Sequence, residues 1–217
     1  MFVEKALGHS EKKLIKKEFK EIKNREDYLK KFLQQGCLGT LGVGMILYLL
    51  IPDYLYPILG TSVIICIITI GVYYEEINKL QQRRSNLNFL EKKNHVLSLR
   101  IKSERFYQLC EEEDEGGEYL FELNNNKLLF FGGQEYYPNN KFPNSDFEIV
   151  IGKGQSGETV IFKIFTFGNK IKPLRKVKSD DKSRLYHLAN IVPDNFSEIN
   201  GNLQTIESEL NASQHDV

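Results

Sequence analysis

Two apolar runs decide the fold of this chain. The first is GCLGTLGVGMILYLLI, Gly36–Ile51, and the second is YLYPILGTSVIICIITIGVYY, Tyr54–Tyr74. No lysine or arginine occurs anywhere in residues 36–74, and Asp53 is the only acid there. Apolar runs of this length without basic residues are typical of membrane-spanning helices.

The lengths of the runs match one bilayer each. Extended back to Phe32, the first run has about 20 residues, which as a helix cover about 30 Å, the thickness of a hydrocarbon core. The sequence therefore predicts spans at about 32–51 and 54–74. Pro52 and Asp53 lie between them, and proline interrupts a helix, so the spans are expected to form a transmembrane hairpin.

Charge sets the expected orientation of this hairpin. The 217 residues hold 29 Lys+Arg and 29 Asp+Glu, a balance that argues against a nucleic-acid partner. By segment, residues 1–35 carry a net +4 and residues 75–100 a net +3, whereas residues 101–150 carry a net −7. Because basic residues flank the spans on one side, the positive-inside rule predicts an integral protein of the inner or plasma membrane with both termini cytoplasmic.

Small side chains recur along both spans at helical spacing. They are Gly36, Thr40 and Gly44 on the first span and Ser62, Cys66 and Thr69 on the second. Small faces let helix backbones approach each other in lipid, so these residues are expected to pack the two spans together. A homo-oligomer formed through Gly36, Gly39, Gly42 and Gly44 is the alternative use of the same face.

The polar segments beside the spans also have helical patterns. Residues 1–35 predict a cytoplasmic amphipathic helix, and residues 75–95 predict a juxtamembrane helix. Two interpretations remain open for them. They pair as a short coiled-coil-like stalk, or the first helix lies on the anionic inner leaflet with its lysines toward lipid headgroups.

From residue 96 to 178 the pattern changes from helical to strand periodicity. Six or seven short strands separated by glycine- and asparagine-rich turns predict a small antiparallel β barrel or sandwich. The tail, residues 179–217, is expected to hold an amphipathic helix at about 193–210. The predicted class is therefore α+β, a membrane hairpin with a stalk, a cytoplasmic β domain and a C-terminal helix.

One motif resembles a nucleotide-binding loop. GKGQSG at 152–157 matches G-x-G-x-x-G, but a phosphate site of this kind needs a helix to begin there. The following residues, 159–162, are Thr-Val-Ile-Phe, a strand pattern, so a glycine-rich hairpin is the better interpretation. The three cysteines are far apart in sequence, which argues against a disulfide or zinc framework.

Two surfaces are candidates for contacts outside the chain. Aromatic residues that could form a partner surface are Phe131, Tyr136, Tyr137 and Phe142. Basic residues that could contact lipid headgroups are Lys170, Lys172, Arg175 and Lys176.

No combination of residues points to catalysis, a cofactor or a metal site. The sequence therefore predicts a non-enzymatic two-pass membrane protein whose cytoplasmic β domain binds a protein or ligand, as a sensor, adaptor or assembly factor. Its expected partners are membrane lipid and a protein bound through the β domain. The alternative is an oligomeric, pore-forming or membrane-perturbing effector triggered through that domain.

Overall fold

The structure is a computed structural model that describes residues 2–111, 116–124, 126–188 and 195–212. The class is α+β, as predicted. The helices are α1 His9–Leu50, α2 Leu55–Lys93, α3 Ser179–Leu188 and α4 Leu203–Ala212, with short 3-10 helices at Pro52–Tyr54 and Gln134–Tyr136. The strands are β1 Val3–Ala6, β2 His95–Lys102, β3 Phe106–Leu109, β4 Gly117–Leu123, β5 Lys127–Gly133, β6 Asp146–Lys153, β7 Thr159–Thr166, β8 Arg175–Val177 and β9 Ser197–Asn200.

The chain divides into two compact units. The first, called the hairpin unit, comprises residues 4–97 and 151–161. The second, called the β unit, comprises residues 1–3, 98–150 and 162–217.

Helices α1 and α2 are longer than the segments that the sequence suggested. The predicted helix of residues 1–35 is not a separate element, because β1 precedes it and α1 continues without a break into the apolar run. No proline occurs within α1, so nothing removes a hydrogen-bond donor from its ladder. Helix α2 ends at Asn94, which has left-handed geometry (φ 54°) and donates its backbone N–H to Leu90 O at 3.0 Å.

The polar halves of α1 and α2 pack side by side through an apolar seam. Ile15, Ile22 and Leu29 are spaced seven residues apart and are all buried, as are Leu87 and Leu90 of α2. A seven-residue repeat keeps one face of a helix against its partner. This antiparallel pairing is the arrangement that the stalk interpretation requires.

Ion pairs flank this seam. Arg84 Nη1 lies 3.1 Å from Glu26 Oε1, and Arg83 pairs with Glu18, so two arginines of α2 meet two acids of α1. These arginines are about half exposed, and exposed ion pairs contribute between about 0 and 1 kcal/mol each. The apolar seam therefore holds the two polar halves together, and the ion pairs align them.

The strands form two sheets instead of a closed barrel. One sheet has four strands in the order β1-β2-β6-β7, and the other has five in the order β8-β3-β4-β5-β9. The barrel prediction is wrong for the residues described, and so is a purely antiparallel arrangement, because β8 runs parallel to β3. A parallel neighbour requires a long connection, and strand spacing along the sequence could not show that β8 returns to β3.

The five-stranded sheet of the β unit is covered on both faces. On one face, aromatic rings make a cluster called the aromatic core: Phe106, Tyr119, Phe121, Phe131, Tyr136, Phe142 and Phe147. On the other face, Leu120 and Phe130 pack with Leu185 of α3 and Leu203 of α4. Burial on both faces explains the uninterrupted apolar stretches Tyr119–Phe121 in β4 and Leu128–Phe131 in β5.

The C-terminal helix is shorter than predicted. Within the described part of the predicted 193–210 segment, Ser197–Asn200 is strand β9, which pairs antiparallel with β5 from Lys127 to Phe130. Gly201 has a φ of 134°, a conformation that favours glycine and ends the strand, and α4 begins two residues later. Apolar residues in this segment are spaced three and four apart, as in a helix. Pairing with the edge of β5 nevertheless makes it a strand, so tertiary contacts override the local helical preference.

The glycine-rich segment is a hairpin, as predicted. Strand β6 ends at Lys153, β7 begins at Thr159, and the two strands are neighbours in the sheet. The turn is closed by the Gly154 N–H, which donates to Glu158 O at 2.8 Å. No helix starts at this turn, so it lacks the N-terminus on which a phosphate would bind.

A buried tyrosine makes the β unit sensitive to alkali. Burial, followed by the nearby Glu207 carboxylate, raises the pKa of Tyr107 to about 12 from an ordinary value of 10. Below pH 10 the phenol is neutral in both the folded and the unfolded chain. Between pH 10 and 12 only the unfolded chain gains by ionising, so we expect stability to fall as pH rises through this window.

Tyrosinate absorbance of the full chain, recorded together with an alkaline unfolding curve, measures this effect. In Tyr107→Phe, the part of the alkaline loss of stability that depends on this phenol should disappear. The same substitution also removes the hydrogen bond from the Tyr107 hydroxyl to Leu203 O at 3.1 Å. An unfolding midpoint that does not change between pH 10 and 12 would contradict the expectation.

Candidate functional site

The apolar halves of α1 and α2 are exposed rather than buried. In the most apolar window of α1 none of the residues is buried, and in that of α2 only 6% are. Leu50 is 72% exposed and Tyr56 is 85% exposed. Both helices are long and apolar enough to cross a membrane. A core helix of a water-soluble protein would cover such side chains, because exposed apolar area costs about 25 cal/mol per Å² in water.

Four of the six small residues expected to pack α1 on α2 lie where the two helices face each other: Gly36, Gly44, Ser62 and Thr69. A Cβ atom placed on Gly36 would lie 3.3 Å from Thr69 Cγ2, and one on Gly44 would lie 2.9 Å from Ser62 Oγ. The Thr40 hydroxyl donates to the Gly36 carbonyl within α1 at 2.7 Å, so it is satisfied without a partner helix. Gly36 and Gly44 therefore let the two backbones approach closely.

Two other glycines of α1 face away from this contact. A Cβ atom on Gly39 or Gly42 would meet no atom within 4 Å. The four glycines that the sequence grouped into one face are thus divided between two faces of the helix.

Two cysteines lie on the facing parts of the two helices. Cys37 directly follows Gly36 on α1, and Cys66 lies between Ser62 and Thr69 on α2. Both cysteines are free and half-buried. Sequence reasoning missed this placement because the residues are far apart along the chain, and only the antiparallel register sets their helix segments side by side.

Gly44→Leu is expected to disrupt the hairpin, because its side chain would collide with Ser62 and Ile58. Overpacking of a close contact costs typically about 1–3 kcal/mol. Thermal unfolding of the full chain in detergent, monitored by the helical circular dichroism signal, measures the loss of stability. Gly60→Leu on α2 is the matched control, since it adds the same side chain to open space. Equal melting temperatures for the two variants would show that Gly44 does not pack on α2.

The β unit carries an open polar cavity of about 580 Å³. Its lining residues are Lys102, Ser103, Glu104, Arg105, Glu122, Leu123, Asn124, Ser145 and Asp146. The volume falls within the range of small-molecule sites, about 300–1,000 Å³, but the lining is charged where such sites are mostly apolar. We call it the charged cavity.

The charged groups of this cavity are held by ion pairs. Arg105 Nη1 lies 2.9 Å from Glu122 Oε2, and both terminal oxygens of Asp146 accept from Arg100 at 2.9 Å. The hydrogen bond from Arg100 lowers the pKa of Asp146. The charged cavity therefore presents groups of both signs.

Three of the four aromatic residues expected to form a partner surface are buried. Phe131, Tyr136 and Phe142 are at most 3% exposed and belong to the aromatic core, so they are unavailable to a partner in this conformation. Phe131 lies on β5 and Tyr136 on the following 3-10 helix. Phe142 lies in the segment before β6, and its ring packs on Tyr119 and Phe147. Tyr137 is 42% exposed, and its hydroxyl donates to Glu111 at 2.8 Å.

Two of the four basic residues expected at lipid headgroups have partners within the chain. Arg175 is half-buried and pairs with Asp181 at 2.8 Å, and Lys170 donates to Asn139 O at 2.7 Å. Lys172 and Lys176 are exposed. A lipid contact remains a prediction for these two lysines.

The chemistry of the remaining groups is limited. In the part of the chain that the structure describes, no three histidine, cysteine, aspartate or glutamate residues gather in a way that could hold a metal ion. The Gly116 N–H and the Tyr137 hydroxyl both donate to Glu111 and lower its pKa. A carboxylate held by two donors in this way needs no catalytic role to explain its lowered pKa.

Comparison of the chain with protein-family models, with curated proteins and with solved structures finds no match in any of the three.

Proposed function

We propose that this chain is a two-pass integral membrane protein that presents its β unit in the cytoplasm for binding a protein or ligand. The observation that carries the proposal is the exposure of the apolar halves of α1 and α2, of which almost nothing is buried. Lipid is the solvent that makes this exposure favourable.

The lengths of the helices support insertion rather than a flat position on the membrane. Helix α1 has 42 residues and is therefore about 63 Å long at 1.5 Å per residue. About 30 Å of that length crosses the hydrocarbon core, and the remaining polar half extends beyond it. Asp53 and the tyrosines at 54 and 56 fall at the turn, where an interface accommodates a charge and aromatic rings.

Cysteine labelling across the membrane tests the topology. In a background with serine at the three natural cysteines, Asp53→Cys marks the turn and Glu104→Cys marks the β unit. Both positions are exposed. We expect a membrane-impermeant maleimide to modify Asp53→Cys only from outside and Glu104→Cys only from the cytoplasmic side. Labelling of both from one side, or release of the protein by alkaline carbonate, would overturn the proposal.

The charged cavity is the surface at which we propose that the β unit binds its partner. Its ion pairs hold charged groups of both signs in fixed positions, which favours recognition of a polar partner. A photo-crosslinking amino acid placed at Glu104 or Asn124 in cells should trap one discrete adduct. The same amino acid at Lys176, which is exposed but does not line the cavity, is the control. Equal adducts at all three positions would argue against a specific site.

The open face of α1 favours a second candidate function, an oligomeric pore or membrane-perturbing effector. Gly39 and Gly42 meet no atom within 4 Å, so a second copy could pack closely there. On this alternative, Gly39→Leu and Gly42→Leu would abolish both oligomers in mild detergent and ion leakage on overexpression. A monomer by mass photometry would exclude the pore.

A further inference from the structure

We propose that Lys30 and Lys31, where the polar half of α1 meets its apolar half, bind the headgroups of anionic phospholipids. This binding rests on the membrane insertion proposed above, and it adds the class of lipid that the hairpin unit contacts. Both lysines are exposed and belong to the hairpin unit, in which α1 and α2 pack together.

Exposed aromatic rings mark the level at which the bilayer ends. On α1, the rings of Tyr28 and Phe32 stack at a centroid distance of 6.5 Å and are 55% and 43% exposed. On α2, Tyr73 makes an edge contact at 5.7 Å with the ring of the next residue. Gly36 faces Thr69 in this antiparallel pair. Phe32 lies four residues before the first and Tyr73 four residues after the second, so their rings share one level, as in an interfacial aromatic belt.

The two lysines lie within one helical turn of this level. At 1.5 Å per residue they are about 1.5–3 Å from Phe32 along the helix axis. Between Tyr28 and Phe32 only Leu29 is buried, so the side chains of Lys30 and Lys31 leave the helix on its outer surface. A lysine stem lies along apolar surface while its ammonium group reaches the polar interface. Both ammonium groups are therefore placed at the depth of headgroup phosphates.

The acids of α1 leave these two charges uncompensated. Glu26 lies 3.1 Å from Arg84 of α2 and is engaged there. Asp27 is exposed one turn before the lysines. In the part of the chain that the structure describes, neither Lys30 nor Lys31 forms an ion pair. Two adjacent positive charges thus face the headgroup region.

The acids of α2 at the same level are balanced by basic partners. Lys79 Nζ lies 2.7 Å from Glu75 Oε1 and 3.3 Å from Glu76 Oε1. Arg25 Nη2 of α1 lies 3.9 Å from Glu76 Oε2. Because charge is balanced on the α2 side and uncompensated on the α1 side, an anionic headgroup is complementary to the α1 side.

Native mass spectrometry of the full-length chain in dodecyl maltoside, titrated with dioleoylphosphatidylserine, tests the proposal. Each lysine close to an anionic surface adds about 1 kcal/mol, which is about fivefold in affinity. We expect phosphatidylserine to bind more tightly than dioleoylphosphatidylcholine. Lys30→Gln combined with Lys31→Gln should weaken the binding of phosphatidylserine about 25-fold and leave that of phosphatidylcholine unchanged.

Lys12→Gln combined with Lys13→Gln is the matched control. Both lysines are exposed on the same helix, and the change removes the same charge. They lie about 27 Å further along α1 from its apolar half, at 1.5 Å per residue, which exceeds the Debye length of about 10 Å at 0.1 M salt. Glutamine and lysine have similar helix propensities, so neither double variant should lose helix. We expect the control to bind phosphatidylserine as the unchanged protein does.

Three results would overturn the proposal. They are equal affinities for the two lipids, an equal loss of phosphatidylserine binding in the two double variants, and displacement of bound phosphatidylserine by equimolar glycerophosphoserine. The last result would assign the lysines to a soluble phosphate compound, because glycerophosphoserine has the headgroup without the acyl chains. Flotation of the full chain with phosphatidylcholine vesicles is scored separately. A protein that does not float refutes membrane insertion, whereas a floating protein without lipid preference refutes only the headgroup surface.

Discussion

Phe121→Ala is expected to lower the free energy of unfolding of the β unit by about 3–5 kcal/mol. The Phe121 ring is fully buried in the aromatic core. It stacks on Phe106 at a centroid distance of 4.9 Å and on Phe131 at 5.5 Å, and it contacts Phe147 at 5.2 Å. Truncation removes all three contacts and leaves a cavity that rigid strands cannot close.

The effect is large because domains are marginally stable, at about 5–15 kcal/mol in total. Near-ultraviolet circular dichroism of the full chain in detergent follows the transition, since buried tyrosines of the aromatic core report on packing and the chain has no tryptophan. Phe167→Ala is the matched control. That ring is 55% exposed and lies under Arg100, a contact worth about 0.5–1 kcal/mol. Equal losses in the two variants would contradict the assignment of Phe121 to the core.

Lys182→Met is the second change with a large expected effect. Lys182 Nζ on α3 lies 2.7 Å from Glu118 Oε2 on β4, and the two side chains are only 6% and 13% exposed. Removing one partner leaves the other charge buried and uncompensated, which costs about 3–5 kcal/mol. We expect α3 to detach from the sheet, with a lower melting temperature of the β unit.

A double-mutant cycle separates the pair from the packing of the lysine stem. Glu118→Gln removes the second charge, so the double variant should be less destabilised than the sum of the two single variants. Lys176→Met, at an exposed position of β8, is the control for loss of a lysine charge and should change stability by less than about 0.5 kcal/mol. Additive effects of the two changes at Lys182 and Glu118 would show that their charges do not interact.

Several features could be predicted from the sequence because they depend on local pattern. The two uncharged runs, Gly36–Ile51 and Tyr54–Tyr74, predict long apolar helices, since runs of about 20 apolar residues are typical of membrane-spanning helices. The hairpin at residues 154–158 follows from its glycines and from the strand pattern after them. The α+β class follows from the change of period near residue 95.

Other features depend on contacts between distant residues and could not be predicted. The composition of the aromatic segment around Phe131 and Tyr136 fits a partner surface as well as a core, because composition does not show which side of a strand faces the core. The apolar spacing at 197–200 predicts helix, and only pairing with the edge of β5 makes this segment a strand. Basic residues near Arg175 were grouped by sequence, whereas Asp181 neutralises one of them.

The sequence by itself determined that the chain has two long apolar helices, a tight turn at Pro52 and Asp53, and a strand-rich segment after them. The physical reason is that the hydrophobicity and the secondary-structure propensity of a short segment depend only on the residues within that segment. Only the tertiary structure decided the alignment of α1 with α2, which sets Gly36 against Thr69 and Gly44 against Ser62. It also decided the burial of the aromatic core and the pairing of Lys182 with Glu118, because contacts of this kind depend on how segments far apart in the chain pack together.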